Sequence, residues 1–238
     1  MKRVVGFGLI WILFSGCQHN DDTKPLTVAS WSQPITEQTH LLAEEEHGFF
    51  EEEGIDLRLV PGSGGGDALT TMLAGQADIA FTDPGAVYSA LAQGEDLIII
   101  YTVYPQNVFN VVTLERAGID EVKDLKEKTI GVYSRASGTY QNLMLLLHEA
   151  GLGVEDVDIL EVGIANFAPL LHEEVDATAA TDTALAAFEF ADDEPLNVIE
   201  LKDYANIPSD FFVVERDTFE TSRDELVAFL HAYEKSAQ

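Results

Sequence analysis

Short apolar segments alternate with longer segments of helical periodicity through the first hundred residues of the chain. Four of the apolar segments have the length and composition of β-strands: residues 26–30, 55–60, 78–81 and 97–103. Helical spacing of apolar positions between them predicts three helices, over residues 33–47, 67–74 and 85–92. Strands and helices that alternate in this order predict a mostly parallel sheet covered by helices.

A second series of the same kind follows. Its predicted strands are residues 109–114, 129–133, 158–162, 176–180, 196–200 and 211–215. Its predicted helices are residues 139–150, 167–173, 182–190 and the amphipathic segment 225–234. We therefore expect an α/β fold of two similar lobes, with residues 26–106 and 210–238 in the first lobe and residues 107–209 in the second. Two lobes joined by two crossing segments enclose a ligand cleft.

The charge balance excludes one class of partner. The chain has 238 residues, of which 42 are Asp or Glu and 13 are Lys or Arg, so its formal net charge is −29. A chain this acidic repels phosphate backbones, and we expect no nucleic-acid partner. The single cysteine also excludes an intrachain disulfide and any metal site built from several cysteines.

The N-terminus has the features of an export signal. Lys2 and Arg3 precede an apolar run over residues 4–14, which is shorter than the about 20 residues that span a bilayer. A basic start, a short apolar core and the small residues Ser15 and Gly16 are typical of a secretory signal peptide.

The only cysteine follows directly, as it does in bacterial lipoprotein signals, which this segment resembles apart from Phe14 in place of the usual leucine. That resemblance implies that residues 1–16 are removed and that Cys17 carries lipid as the first mature residue. Residues 17–25 are then a polar tether. The alternative is an ordinary signal peptide followed by a chance cysteine.

Candidate ligand-binding residues follow the predicted strands. Ligands of open α/β sheets bind at the carboxyl ends of strands, so the loops at these ends should line the cleft. The candidates are Trp31, Ser32, Ser63, Gly64, Gly65, Thr82, Asp83, Tyr104, Asn107, Arg135, Ser137, Gly138, Thr139, Tyr140, Asn166, Thr181 and Asp182.

Several of these loops also have a purely structural explanation. The glycine run at residues 62–66 either cradles an anion with its N–H groups or forms a flexible turn with Asp67 as a helix cap. Asp83 followed by Pro84 is typical of a helix N-terminus. Three further loop residues are candidate caps: Ser137, Thr181 and Asp182.

Few of the other side chains suggest a binding or catalytic role. Arg135 is the one basic residue of these loops, and it either binds an anion or is a surface charge. Trp31 either stacks on a flat ligand or packs in the core. His40, Glu44 and His47 share a helix face, which we expect to be solvated rather than metal-binding. No catalytic constellation stands out, so we expect no enzymatic activity, no cofactor and no metal.

Five segments together carry a family resemblance. They are residues 47–57 (HGFFEEEGIDL), 62–66 (GSGGG), 73–80 (LAGQADIA), 118–119 (GI) and 124–132 (DLKEKTIGV). In this order, and over about residues 26–234, the chain resembles the solute-binding lipoproteins of bacterial ABC importers for nitrate, sulfonate, taurine and thiamine-pyrimidine precursors. The resemblance implies a hinged, two-lobe fold like that of periplasmic binding proteins.

The same resemblance implies capture of a small molecule and its delivery to a permease and its ATPase, from an extracytoplasmic site on a lipid anchor or in the periplasm. We expect a monomer. Family members usually continue for several helices beyond the position of Gln238, and many have glycine where this chain has Glu127. Related pyrimidine synthases share the fold but need a lysine and a histidine near the cleft and a cysteine-rich iron motif. A sensory or adhesive lipoprotein is a third class.

The loops favour one ligand class over another. Carboxylates such as those of Asp83 and Asp182 accept hydrogen bonds from amino groups, and rings such as those of Trp31 and Tyr104 stack on heterocycles. The sequence therefore favours a flat, nitrogen-bearing ligand such as a pyrimidine precursor of thiamine. An alkanesulfonate, taurine or nitrate is the alternative, since hydroxyls, helix N-termini and Arg135 would suit an anion.

Overall fold

The computed structural model describes residues 24–188 and 194–237. The predicted signal peptide, Cys17 and most of the tether lie outside the described residues. Among the helices of these two ranges, none has the length and apolar character needed to cross a membrane.

The described residues form ten strands and ten α-helices. The strands are β1 Lys24–Ala29, β2 Ile55–Val60, β3 Ile79–Thr82, β4 Leu97–Tyr104, β5 Phe109–Leu114, β6 Thr129–Val132, β7 Asp158–Glu161, β8 Ala177–Thr181, β9 Leu196–Glu200 and β10 Ser209–Glu215. The helices are α1 Thr39–Leu42, α2 Glu44–His47, α3 Phe49–Glu52, α4 Gly65–Leu73, α5 Pro84–Gln93, α6 Gly138–Glu149, α7 Ala168–Leu171, α8 Asp182–Ala187, α9 Arg216–Thr221 and α10 Arg223–Ser236.

The strands form two five-stranded sheets with the same arrangement. The first has the order β2-β1-β3-β10-β4, and the second has the order β7-β6-β8-β5-β9. In the first sheet β1 runs parallel to β2 and β3, whereas β10 runs antiparallel to β3 and β4. The expectation of mostly parallel sheets is therefore correct except for one antiparallel strand in each, and the two-lobe α/β class is confirmed.

The antiparallel strand of each sheet is the one that enters from the other lobe. After β4 the chain crosses through residues 105–108 into β5, which lies between β8 and β9. It crosses back through residues 205–208 into β10, which lies between β3 and β4. Because each entering strand occupies an interior position of its sheet, neither lobe is complete without the chain that comes from the other.

The first lobe packs around an aromatic side chain of β10. The Phe212 ring lies 5.0 Å from Phe81, 5.0 Å from Phe229 and 4.8 Å from Tyr233, between ring centroids. These rings belong to one core cluster, which also contains the fully buried Phe50. Helix α10 therefore packs on the sheet through the apolar face that its sequence predicts.

The segment predicted as one helix over residues 33–47 is broken into shorter pieces. A 3₁₀ turn over Thr36–Gln38 precedes α1 and α2. The Glu44 carboxylate then accepts hydrogen bonds from the backbone N–H groups of Phe50 and Glu51, at 2.7 Å and 2.9 Å. Gly48, with φ of 67°, makes the turn between α2 and α3. The Glu44 bonds and the Gly48 turn therefore fix the start of α3 after the predicted segment.

An asparagine cluster joins the two crossing segments. The Asn107 side-chain amide donates to Asn142 Oδ1 at 2.9 Å, and the backbone N–H of Asn107 donates to Asn206 Oδ1 at 3.1 Å. Asn107 Oδ1 in turn accepts from the N–H of Phe109 at 2.9 Å. The hinge between the lobes is therefore built from buried, directional hydrogen bonds.

The glycine loop at residues 62–66 is where the first lobe touches the second. Gly66 N–H donates to the Ala136 carbonyl at 3.2 Å, and Ser134 Oγ donates to the Ser63 carbonyl at 2.5 Å. Gly64 has φ of 146°, and a Cβ there would lie 2.4 Å from the Ala136 oxygen. Only glycine permits this backbone conformation and this close approach.

We expect Gly64→Ala to hold the two lobes apart. The substitution adds backbone strain of about 1–3 kcal/mol and a clash at the lobe contact. Small-angle X-ray scattering should show a larger radius of gyration than for the natural chain. Gly66→Ala is the matched control, because its Cβ would lie 3.6 Å from the same oxygen, an ordinary contact. Equal radii for the two variants would contradict this account of the lobe contact.

Candidate functional site

A cavity of about 320 Å³ lies between the two lobes. This volume is within the range of small-molecule sites. The first lobe lines it with Trp31, Ile35, Thr36, Glu37, Asp83 and Asp210. The second lobe lines it with Phe109, Tyr133, Ser137, Gly138, Thr139, Ile164, Ala165, Asn166, Phe167, Ala168, Thr181, Ala184, Ala187 and Phe188.

Aromatic rings from both lobes form much of the wall. Trp31 follows β1 and meets Phe81 edge to face at 5.9 Å, which fixes its ring at the cavity. Tyr133 follows β6, and its hydroxyl lies 3.4 Å from Ser32 Oγ of the other lobe. Flat apolar walls of this kind suit a planar ligand, which stacks on the rings.

Three acidic side chains face the cavity. They are Glu37, Asp83 and Asp210, and no lysine, arginine or histidine is among the lining residues of the described chain. Asp83 is 2% exposed and Asp210 is 3% exposed. Carboxyl groups are therefore buried here with no positive side chain among the described lining residues, which makes their charged form costly.

The burial of these acids changes their protonation. Burial raises the pKa of Asp83, although the backbone N–H groups of Ala86 and Gly85 act in the opposite direction. Burial also raises the pKa of Asp210 well above its usual range, and the negative charges of Asp83 and Glu37 raise it further. The cavity thus favours bound protons or another source of positive charge.

Asp210 occupies an unusual backbone position. It is the second residue of β10, immediately after the crossing segment, and its φ is 51°. The left-handed region is uncommon for a residue other than glycine and costs about 1–3 kcal/mol. Such strain at a buried acid that lines a cavity points to a functional constraint.

Three residues that line the cavity each have a buried polar atom without a hydrogen-bond partner. The atoms are Nε1 of Trp31, Oδ2 of Asp83 and Oδ1 of Asn166. All three atoms are closed off from solvent, and Asp83 Oδ2 lies against Gly65, where an added Cβ would be 2.0 Å from it. A buried unsatisfied group costs about 1–3 kcal/mol, and a ligand can relieve that cost only if the surrounding side chains move to admit it.

The structure divides the sequence-predicted residues into two groups. Those that line the cavity are Trp31, Asp83, Ser137, Gly138, Thr139, Asn166 and Thr181. Those that lie outside its lining are Ser32, Ser63, Gly64, Gly65, Thr82, Tyr104, Asn107, Arg135, Tyr140 and Asp182.

Several residues of the second group have a clear structural contact. Thr82 Oγ1 donates to the Gly65 carbonyl at 2.8 Å and fixes the glycine loop. The Asp182 carboxylate accepts from the Asn110 amide at 2.7 Å. Arg135 is exposed, with its Nε 3.7 Å from Glu161 and its guanidinium 5.6 Å from the Tyr140 ring centroid.

The capping predictions have mixed outcomes. Asp83 is the N-cap of α5, since its Oδ1 accepts from Ala86 N–H at 3.0 Å, and Pro84 begins the helix. Thr181 caps α8 by accepting from Ala184 N–H at 3.1 Å. Ser137 precedes α6 but does not cap it, because its hydroxyl donates to the Ser134 carbonyl at 2.6 Å instead.

Two backbone N–H groups of the glycine loop donate hydrogen bonds to other parts of the protein. Ser63 N–H donates to the Asp67 carboxylate at 3.0 Å, and Gly66 N–H donates to Ala136 across the lobes. Asp67 lies inside α4 rather than at its cap, because Gly64 is the N-cap residue. In this arrangement these two N–H groups do not face the cavity.

The predicted solvated face of His40, Glu44 and His47 is held by separate contacts. His40 Nδ1 lies 3.2 Å from the Ser236 carbonyl, the Glu44 carboxylate accepts from α3, and the His47 ring packs on Phe49. Across residues 24–188 and 194–237, no group of three or more His, Cys, Asp or Glu side chains is arranged to hold a metal ion.

Sequence reasoning missed two of the three acids and three of the rings. Glu37 lies in the segment predicted as a continuous helix, and Asp210 precedes the apolar run that was assigned to the last strand. Phe109, Phe167 and Phe188 lie in or beside elements predicted as core. To distinguish these residues from ordinary core residues, one would have to know which positions of the two lobes lie close together.

Comparison with known proteins agrees with this architecture. Residues 35–238 match the protein family described as NMT1/THI5 like. A protein of Haemophilus influenzae that is named for thiamine biosynthesis is 28% identical over 140 residues, which are 58% of this chain and 43% of that protein. The chain therefore aligns with less than half of that relative's length.

Solved structures share the fold. A protein of Bordetella bronchiseptica superposes with a TM-score of 0.77 at 23% identity, over 90% of this chain and 71% of that one. The alkanesulfonate-binding protein of Xanthomonas axonopodis, bound to MOPS, superposes with a TM-score of 0.69 at 20% identity, over 89% and 72%. The match over residues 35–238 is decisive, and the chain belongs to the NMT1/THI5-like family.

Proposed function

We propose that the chain is the extracytoplasmic solute-binding component of an ABC importer. It captures a small nitrogen-bearing heterocycle, such as a pyrimidine precursor of thiamine, and passes it to the permease without chemical change. The observation that carries this proposal is the inter-lobe cavity, with unpartnered atoms on Trp31, Asp83 and Asn166 and no basic side chain among its described lining residues.

An aminopyrimidine has hydrogen-bonding groups complementary to the three unpartnered atoms. When the side chains around them move to admit it, its amino group donates to Asp83 Oδ2 or Asn166 Oδ1, and a ring nitrogen accepts from Trp31 Nε1. Its flat ring stacks on the aromatic wall, which the apolar face of the cavity favours. The name of the Haemophilus influenzae relative, which refers to thiamine biosynthesis, supports the same ligand class.

An anionic ligand is less well matched. A structural neighbour binds alkanesulfonates, but the cavity of this chain presents Glu37, Asp83 and Asp210. Arg135, the basic residue of the strand-end loops, is paired with Glu161 outside the cavity lining. A sulfonate or nitrate would therefore find no lysine, arginine or histidine among the described lining residues to donate a charge-assisted hydrogen bond.

Binding without turnover also fits the lining residues better than catalysis does. The related pyrimidine synthases need a lysine and a histidine near the cleft, and neither residue type lines the cavity of the described chain. The ligand instead bridges the lobes, because Trp31 and Asp83 belong to one lobe and Asn166 to the other. Bridging stabilises the closed form, which is the form that would dock on a permease.

A thermal-shift screen tests the ligand class. Pyrimidines, alkanesulfonates, taurine and nitrate are added separately, each at the highest soluble concentration. At 100 times its dissociation constant a ligand adds about 2.7 kcal/mol of stability, which raises the Tm of a chain of this size by about 5–10 °C. We expect this shift with 4-amino-5-(hydroxymethyl)-2-methylpyrimidine and none with the anions. A shift with a sulfonate alone, or recovery of a chemically altered pyrimidine, would contradict the proposal.

Substitutions of Trp31 separate stacking from hydrogen bonding. Trp31→Ala removes both and should weaken pyrimidine binding roughly ten- to a hundredfold, since a base–aromatic stack is worth about 1–3 kcal/mol. Trp31→Phe keeps a ring and removes the Nε1 donor, so its loss should be smaller. Arg135→Ala is the control and should bind normally in titration calorimetry. An equal loss for Arg135→Ala and Trp31→Ala would place the ligand elsewhere.

Cys17 is the proposed site of the lipid anchor. We expect Cys17→Ala to move the protein from the membrane fraction to the soluble extracytoplasmic fraction, because the acyl chains that hold it contribute about 0.8 kcal/mol per buried methylene. Cell fractionation followed by immunoblotting measures the change. Membrane retention of Cys17→Ala at the natural level would show that another part of the protein anchors it.

A further inference from the structure

Asp83 directly follows β3, and Asp210 is the second residue of the neighbouring strand β10. In the antiparallel pairing of β3 with β10, Thr82 lies opposite Phe211 and Phe81 lies opposite Phe212. One step further along the same register brings residue 83 opposite residue 210. Like charges at directly opposed positions repel, so this pairing of two acids is unfavourable for the sheet by itself.

The surroundings of the pair do not neutralise it. The other acid at the cavity is Glu37, whose charge acts on Asp210 with the same sign. The charge of Asp210 contributes to the raised pKa of two tyrosines, Tyr104 and Tyr233. Among the described residues that line the cavity there is no lysine, arginine or histidine.

The backbone fixes both carboxylates in place. Asp83 Oδ1 accepts a hydrogen bond at the N-terminus of α5, and Oδ2 is buried without a partner, against Gly65. Asp210 is held in the left-handed region with φ of 51°, at the point where the crossing segment becomes β10. Two buried acids are thus positioned on the cavity wall at a cost in charge repulsion and in backbone strain.

We propose that Asp83 and Asp210 together bind the positively charged edge of the ligand, an amidinium-type cation with N–H donors on neighbouring nitrogens. This inference rests on the proposed function and names the charge state that the site selects. A protonated aminopyrimidine has such an edge. Its charge supplies what the lining residues lack, and its N–H groups are donors of the kind that carboxylate oxygens accept.

Other cations fit the same wall less well. A quaternary ammonium ion has no N–H group for the unpartnered oxygens of Asp83 and Asn166, and it offers no acceptor to Trp31 Nε1. A metal ion needs several oxygen ligands, and no suitable cluster of three or more acidic or histidine groups is present within the described ranges.

We expect ligand binding to change the protonation of the Asp83–Asp210 pair. When the cavity is empty, the repulsion between the two acids favours one bound proton, as it does in other close carboxylate pairs. A permanently charged amidinium displaces this proton into solvent, so its affinity should rise with pH until the pair is ionised. A neutral aminopyrimidine instead takes up the proton from the pair and binds as the same cation, with no net proton release.

Two flat probes of almost equal shape test the charge selection by titration calorimetry. Benzamidine is a permanent cation at neutral pH, and benzamide is its neutral counterpart. Benzamidine should bind at least about tenfold more tightly, the ratio expected when one charge-assisted hydrogen bond is replaced. Its affinity should increase between about pH 5 and pH 8, and titrations in two buffers of different ionisation enthalpy should show proton release.

Asparagine substitutions identify the residues responsible. Asp210→Asn preserves the left-handed backbone, which asparagine tolerates, and Asp83→Asn preserves the helix cap. Either variant should bind benzamidine roughly ten- to a hundredfold more weakly with little change for benzamide, and should release no proton. The unliganded Asp210→Asn protein should also melt at a higher temperature, because the repulsion is removed. Asp56→Asn, at an exposed acid of the same lobe, is the charge control.

The outcomes separate this inference from the proposed function. Equal binding of the two probes, or unchanged benzamidine affinity in both asparagine variants, overturns the cation site. If 4-amino-5-(hydroxymethyl)-2-methylpyrimidine still binds in that case, the proposed function stands. Preference for benzamidine without any pyrimidine binding supports the cation site and overturns the pyrimidine ligand. Binding of none of the three compounds overturns both.

Discussion

The burial of two acids, Asp83 directly after β3 and Asp210 on the neighbouring strand β10, is the constraint around which the cavity is organised. Their adjacency requires β10 to lie beside β3, and β10 reaches that position only because the chain crosses back from the second lobe. The same crossing places Asp210 in a strained conformation at the cavity wall. Folding thus creates a local deficit of positive charge and of hydrogen bonds, which a ligand of the right chemistry relieves.

Contacts between the lobes hold the second lobe beside the acidic side chains of the cavity. Asn107 ties the crossing segments together, and the glycine loop contacts residues 134–136. Thr181 Oγ1 of the second lobe donates to Glu37 of the first at 2.7 Å. With the lobes in contact, Asn166 and the rings of the second lobe complete the cavity. A ligand in this cavity would therefore contact residues of both lobes.

Strand and helix periodicity predicted most of the fold, because each lobe repeats short buried strands and covering helices. It failed at residues 33–47, which form a 3₁₀ turn and two short helices instead of one helix, and it missed α9. At the site, strand-end reasoning found Trp31, Asp83 and Asn166. It could not find Asp210, because this residue lies directly after a crossing segment and has a left-handed backbone conformation. Neither feature produces a periodic pattern in the sequence. It selected Arg135 by charge alone, and that side chain is paired outside the cavity.

The most direct test of this account is a crystal structure of the chain with 4-amino-5-(hydroxymethyl)-2-methylpyrimidine. The account predicts the ring between the lobes, stacked on the aromatic wall. The amino nitrogen should lie about 2.7–3.2 Å from Asp83 Oδ2 or Asn166 Oδ1, and a ring nitrogen at a similar distance from Trp31 Nε1. A ligand bound outside the cavity, or bound within it without contact to these three atoms, would contradict the account.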